Sequence, residues 1–242
     1  MSLVVQSKDW FKLDSVLCDT KGLYCDTPQV PPMARKRYQT YKYGNDEDGV
    51  FSDDSYDNVR YTLQCYKFPM SQTADYSDAA LYAWIQGAKL LEISRQYGVY
   101  YKIRTIDGIQ PSVRQDGMRI DYKISMTLSP FRYLSANNEF SLPNDGVIEN
   151  EGTRYSKPII RMNVTGTPAT LTTNGETLTI NQTGIITVDS DRMLVYKTVN
   201  GENTAITQYT QGKLPMFAVG TNLVQVSNNI NSVTVVGNWR CY

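Results

Sequence analysis

The stretch that decides the fold is MRIDYKISMTL, residues 118–128, with the SPFRY that follows it at 129–133. Met118, Ile120, Tyr122, Ile124, Met126 and Leu128 fall on one face, and Arg119, Asp121, Lys123, Ser125 and Thr127 on the other. Side chains in a strand change face at every residue, so the pattern predicts a long strand with one dry and one wet side. After Tyr133 the chain turns polar, and then short apolar runs follow, punctuated by Asn-Gly pairs. The expected organisation is two β-rich domains in series, 1–134 and 135–242.

On the N-terminal side, residues 58–68 alternate again, with Val59, Tyr61, Leu63 and Cys65 opposite Arg60, Thr62, Gln64 and Tyr66. One helix is expected at about 77–87. Ser77 can cap it, Asp78 suits its positive end, Leu81, Trp84, Ile85 and Ala88 form one stripe, and Gly87 marks its end. Strands are expected at 89–93 and 99–106. The opening WFKLDSVLCDT reads as a strand turning at Lys21-Gly22 into LYCDTPQVPPM, where Pro28, Pro31 and Pro32 remove backbone donors and imply an edge or connector. Between them, residues 35–58 are polar and tyrosine-rich and read as a strand arm, an acidic loop and a return. One helix against antiparallel strands is an α+β layout.

The second domain reads as all β, with strands at 158–164, 169–173, 176–181, 184–189, 193–198, 203–209, 222–226 and 232–242. Asn174-Gly175 and Asn200-Gly201 tolerate positive φ at both turn positions and predict two tight hairpins. This cadence, with no helical period, indicates a sandwich or jelly roll.

Charge and composition narrow the chemistry. Lys and Arg number 24, Asp and Glu 24, and histidine is absent. Tight binding to nucleic acid draws on excess cations, which the chain as a whole does not carry. Without imidazole, Ser-His-Asp and Cys-His catalysis and most zinc sites are excluded. Paired carboxylates stay open, drawn from Asp145, Glu149 and Glu151 or from Asp189 and Asp191, but no spacing singles out a pair. The apolar runs are too short to cross a bilayer, and no charged-then-apolar signal opens the chain. An enzyme is not expected.

The acidic run Asp46, Glu47, Asp48, Asp53, Asp54 and Asp57 suggests calcium. An EF-hand register with Gly49 at the turn puts Gly44 and Ser55 at ligand positions, so a hydrated loop is the better reading. Cys65 reads as a core residue. Cys18 and Cys25 have a spacing that allows a bridge across Thr20-Lys21-Gly22, with free thiols the expected state. Trp84 and Trp239 read as core. Tyr38, Tyr41 and Tyr43 lie on the polar arm, where alternation spreads them over both faces; with Phe51 they are the candidate subunit contact.

The order of motifs carries a resemblance. WFKLDSVLCDTKGLYCD is followed by a Pro-rich stretch and an acidic Gly loop, then LYAWIQG, VYYKIRTI and SPFRY. ENEGTRYSKPIIRMNVTG opens the second half, and ITVDSDRMLVY, KLPMFAVGTNLVQV and a final Arg240-Cys241-Tyr242 complete it. From about Asp9 to the C-terminus this resembles the distal tail protein (Dit) family of long-tailed bacteriophages. Where many relatives carry Gly-Arg-Asp-Gly, this chain has Asn45-Asp46-Glu47-Asp48-Gly49.

The resemblance implies a mainly β protein with a tail-tube-like N-terminal β-sandwich or split barrel bearing one helix. A galectin-like β-sandwich would follow it. It implies a hexameric ring joining the tail tube protein to the tail-associated hub protein and offering a docking platform for receptor-binding or accessory baseplate proteins. DNA would pass unread, no cofactor or metal would be held, and no membrane would be entered. The expected location is the virion, with assembly in the host cytoplasm. A carbohydrate-binding module of a phage or prophage adhesion apparatus is the alternative.

Overall fold

The computed structural model describes residues 9–43, 47–68, 78–115, 119–136, 138–142 and 145–242. The chain forms two compact units: Met1–Arg132 with Tyr242, and Tyr133–Cys241. The architecture is mainly β, with several antiparallel sheets and one α-helix among the described residues.

In the first unit β1 (Phe11–Leu13) and β2 (Val16–Leu17) make a small hairpin. Its turn is Asp14-Ser15, both left-handed at φ 48° and 68°. The expected single strand through to Lys21 is therefore broken early; Lys21 instead ends a 3-10 turn over Cys18–Lys21, followed by left-handed Gly22. Asp14 earns its place through its carboxylate, which accepts the amides of Lys89 and Leu90 at 3.0 and 2.8 Å. β3 (Gln39–Tyr43) and β4 (Glu47–Phe51) form a separate hairpin. β5 (Val59–Lys67) follows with strict in–out burial, then α1 (Asp78–Gly87), β6 (Leu90–Ile93) and β7 (Val99–Val113). The Ser77 cap lies outside the described residues.

β8 (Ile120–Leu134) carries the deciding stretch. The sheet runs β2-β1-β6-β7-β8, with β5 also paired to β8. Tyr122, Ile124, Met126 and Leu128 are buried, as the alternation requires; Met118 lies outside the described residues. The strand does not stop at Leu128. It continues through Pro130, and its inward phase slips by one residue, because Leu128 and Ser129 are both buried and Phe131 and Tyr133 follow. β7 likewise runs past the expected residue 106, but its outer half is largely exposed. A hydrophobic pattern detects only the half of that strand that faces a core.

The helix contributes Leu81 and Ile85, with the following Ala88, to one buried core that also holds Phe11, Leu63, Leu91 and Ile124. Trp84 is half-buried at that core's edge, with its ring 6.4 Å from Phe11. Each such large apolar side chain, fully buried, contributes about 1.5–3 kcal/mol.

The second unit holds β9 (Glu139–Leu142), β10 (Gly146–Asn150), β11 (Ile159–Val164), β12 (Ala169–Thr173), β13 (Glu176–Ile180) and β14 (Gly184–Asp189). β15 (Leu194–Val199), β16 (Glu202–Ala205), β17 (Thr210–Gly212), β18 (Gly220–Val226), β19 (Ile230–Val236) and β20 (Arg240–Cys241) complete it. One sheet is β10-β18-β12-β13-β17 and the other β16-β15-β14-β11-β19-β9. Both Asn-Gly turns are left-handed at both residues. The strand expected over 232–242 ends at Val236. Asn238 adopts φ 50° and Trp239 turns fully inward, 5.9 Å from Phe140 and 5.8 Å from Phe217. β9, β10 and β17 were not anticipated; all are short, β9 and β17 bury little, and β10 alternates but brings only Ile148 and Asn150 fully inside.

A polar staple explains the ENEGT motif. Buried Asn150 donates to the carbonyls of Arg154, Phe217 and Ala218 at 3.0, 3.3 and 3.0 Å, and accepts the Gly152 amide at 2.9 Å. A side chain at Gly152 would meet the Arg240 backbone oxygen at 2.5 Å. Thr153 and Arg154 then donate their amides to that same Arg240 carbonyl.

Candidate interaction surfaces

The arm is rooted by charge. Arg37 donates its amide to Ser55, Asp57 donates to Arg35, and Lys36 bridges Tyr56. Lys36 pairs with Asp54 and Arg37 with Asp57, each at 2.6 Å. The Asp54 contact holds the Lys36 ammonium above its ordinary pKa, and the Ser55 hydroxyl and amide hold the Asp53 carboxyl below its own. The acidic residues thus fasten the base of a hairpin. Among the described residues, no group of three or more carboxylate or thiol side chains is placed to hold a metal ion.

Beyond the base, β3 and β4 pair only with each other among the described residues. Gln39 faces Phe51, Thr40 faces Val50 and Tyr41 faces Gly49. Tyr41 and Phe51 are diagonal neighbours on one side, while Val50 points to the other. All are exposed: Tyr41 at 52%, Phe51 at 56% and Val50 at 60%, with Tyr38 at 58% just before the strand. The Lys36 ammonium lies 5.8 Å over the Tyr38 ring. An open hollow of about 320 Å³ at the base is bordered by Arg37, Tyr38, Phe51 and Asp57. The backbone of Tyr43 pairs with Glu47; its side chain lies outside what is described. Val50 was not singled out in the sequence; its place in β4 brings it to the surface beside Phe51.

A second feature surrounds Arg119. Its guanidinium stacks 3.7 Å from the Tyr66 ring and pairs with Asp121 at 2.5 Å and Asp26 at 3.3 Å. Arg114 reaches the same Asp121 at 3.3 Å. Partial burial opposes the charge on Asp121, but the two arginines outweigh it and hold its pKa below the ordinary value. A cavity of about 470 Å³ lies against this cluster, lined also by Gln64, Gln110 and Lys123. Arg114, Arg119, Asp26 and Asp121 pair with one another along its wall.

In the second unit the outer side of the six-stranded sheet presents a straight cross-strand row. Ser141 faces Thr234, Thr234 faces Arg161, Arg161 faces Thr187, Thr187 faces Tyr196, and Tyr196 faces Ala205. A depression of about 460 Å³ follows the row, with Glu139 and Asn203 at its borders. Three of the suggested carboxylates hold local structure. Asp189 accepts the amides of Asp191 and Arg192, Glu149 accepts the Thr221 hydroxyl, and Asp145 accepts the Val226 amide.

The fold is Dit-like. The chain is similar to the crystal structure of the SPP1 Dit protein, described as a paradigm of the hub adsorption apparatus in Gram-positive infecting phages. The TM-score is 0.63 at 12% identity, over 94% of this chain and 97% of that one. No family model and no curated protein sequence matches the chain.

Proposed function

We propose that this chain is a structural component of a phage tail tip, and that it works by repeating its own surfaces. Six copies form a ring that joins the tail tube protein to the tail-associated hub protein. Residues 1–134 build the ring, and 135–242 face outward as a docking platform for receptor-binding or accessory baseplate proteins. The virion is its final location, after assembly in the host cytoplasm. DNA passes without being read, and no bond is made or broken.

The observation that carries this reading is the Dit-like fold spanning both units. The arm supports it physically. An isolated two-stranded hairpin is marginal in water, and this one exposes Tyr41 and Phe51 on one side and Val50 on the other. Packing against a neighbouring copy, head-to-tail around a closed axis, would bury both sides. Sedimentation of the purified chain across a concentration series tests it: a closed hexamer supports the reading, and a dimer of two-fold symmetry contradicts it.

A carbohydrate-binding role is the second reading, favoured by the Thr234–Arg161–Thr187–Tyr196 row. The Thr234 hydroxyl, the Arg161 guanidinium and the Tyr196 phenol ring suit hydrogen bonding and stacking on a sugar, while Thr187 is buried beneath them. Calorimetric titration of the full chain with cell-wall glycans tests it; saturable binding lost in Arg161→Ala supports it, and no heat at millimolar sugar rejects it.

A further inference from the structure

The second unit carries two Asn-Gly turns with the same backbone form and different surroundings. Asn174-Gly175 joins β12 to β13 and Asn200-Gly201 joins β15 to β16, with φ of 51° and 86° in the first and 51° and 84° in the second. Both asparagines are exposed, and beyond its chain neighbours neither glycine has an atom within 4 Å of where a side chain would begin. The asparagine side chains differ. Asn174 donates its side-chain amide to Asn222 at 2.7 Å, and its side-chain oxygen accepts the Leu223 amide at 3.0 Å. Its backbone amide donates to the Leu223 carbonyl at 3.0 Å. Asn222 is itself fully buried, and β12 and β13 are each flanked by a further strand, β18 and β17. Among the described residues, the Asn200 side chain has no hydrogen-bond partner. The strand that follows it, β16, is the edge of its sheet, and all four of its residues are exposed.

We propose that Asn200-Gly201 is a site of spontaneous deamidation in the folded chain, and that the bonds of Asn174 protect Asn174-Gly175 from the same reaction. With the turn open, the deprotonated Gly201 backbone nitrogen attacks Cγ of Asn200. The N–Cγ bond forms, the Cγ–Nδ2 bond breaks, and ammonia leaves behind a five-membered succinimide. Water then adds to either ring carbonyl and opens the ring. Opening at Cγ gives Asp on the original main chain. Opening at the main-chain carbonyl gives isoaspartate, whose main chain runs through the former side chain. Water is consumed, ammonia is released, and no electrons are exchanged.

The fold sets which turn reacts. A left-handed asparagine turns the nitrogen of the following glycine away from its own side chain, so a closed turn resists attack and reaction follows opening. Segments open at little cost where few buried contacts hold them and their backbone hydrogen bonds face water. At Asn200 the first pair to part is Val199 with Glu202, both exposed and on an edge hairpin. At Asn174 opening also breaks the bonds to Asn222 and Leu223, in the middle of the five-stranded sheet. Conversion places a new carboxylate beside Glu202. The isoaspartate form also lengthens the turn's main chain by one carbon, which disturbs the β15–β16 register that the turn fixes. This chemistry is the same whether or not the chain forms rings.

The full-length chain is held at mildly alkaline pH, one sample folded and one unfolded in guanidinium chloride, and both turns are followed over time by peptide mass spectrometry. Each asparagine follows a β-branched residue, Thr173 or Val199, so the two sites should convert at similar rates in the unfolded sample. In the folded sample Asn200 should convert about tenfold or more faster than Asn174, with Asp and isoaspartate both among the products. Equal rates at the two sites in the folded chain, or faster conversion at Asn174, would overturn the proposal. So would an intact Asn200 in the folded sample after the unfolded one has converted.

Discussion

Tyr41 lies across the arm from Gly49, and its ring occupies the space where a side chain at that glycine would begin. The glycine leaves room for the tyrosine ring to lie across the strand pair. Gly49→Val should push the ring aside and re-aim the arm's apolar face. Assembly should weaken by about tenfold or more, consistent with displacing one interface aromatic, while the melting temperature of the chain stays nearly unchanged. Sedimentation velocity and calorimetry together check it.

Direct removal of the apolar groups should act more strongly. Tyr41→Glu with Phe51→Glu places charge in the contact proposed for the ring, at about 2 kcal/mol or more per buried aromatic site. The variant should remain a folded monomer at concentrations where the parent assembles. Tyr38→Glu should have a smaller effect, because Tyr38 precedes the paired strand. Intact rings from the Tyr41→Glu/Phe51→Glu variant would remove the arm from the interface.

The Asn150 staple yields a stability prediction for the second unit. Asn150→Ala strands the carbonyls of Arg154, Phe217 and Ala218 and the amide of Gly152. Leaving even one buried polar group unsatisfied costs about 1–3 kcal/mol. Urea unfolding of the second unit should shift by at least ~2 kcal/mol, with the first unit unaffected.

These predictions show where the sequence was legible. The 122–128 alternation, the helix stripe and the two Asn-Gly turns each express a local rule: a period or a backbone conformation that few residues tolerate. Asn150 and Gly152 stand in the ENEGT motif, but the sequence hides the reason for them, because Arg240 and Phe217 meet them only in the folded unit. The Asp14-Ser15 turn escaped because two non-glycine residues hold positive φ there, anchored by amides of Lys89 and Leu90 far along the chain. The arm's tyrosines were visible as an oddity of composition. That Tyr41 and Phe51 share a side while Val50 takes the other depends on a register that the acidic tip concealed.

Acid should loosen the first unit. Asp9, Asp107 and Asp121 are all held below the ordinary carboxyl value of 3.8. Burial opposes the charge on Asp9 and Asp121 but is outweighed by Arg95 for one and by Arg119 and Arg114 for the other; the hydroxyls of Thr105 and Thr127 act on Asp107. A depressed folded pKa gives stability that is fully present above the unfolded value and lost as pH falls through the folded one. The urea midpoint should therefore be level above about pH 5 and decline below about pH 4. Asp121→Asn should flatten part of that decline, which fluorescence-detected unfolding across pH measures.

The central claim is that one chain, through a repeated contact, closes on itself. Electron microscopy of the purified protein at the highest soluble concentration tests it most directly. The account predicts annular particles with six-fold symmetry and an open centre, absent from the Tyr41→Glu/Phe51→Glu variant. Monomers alone at that concentration, or an assembly whose symmetry is two-fold, would contradict it.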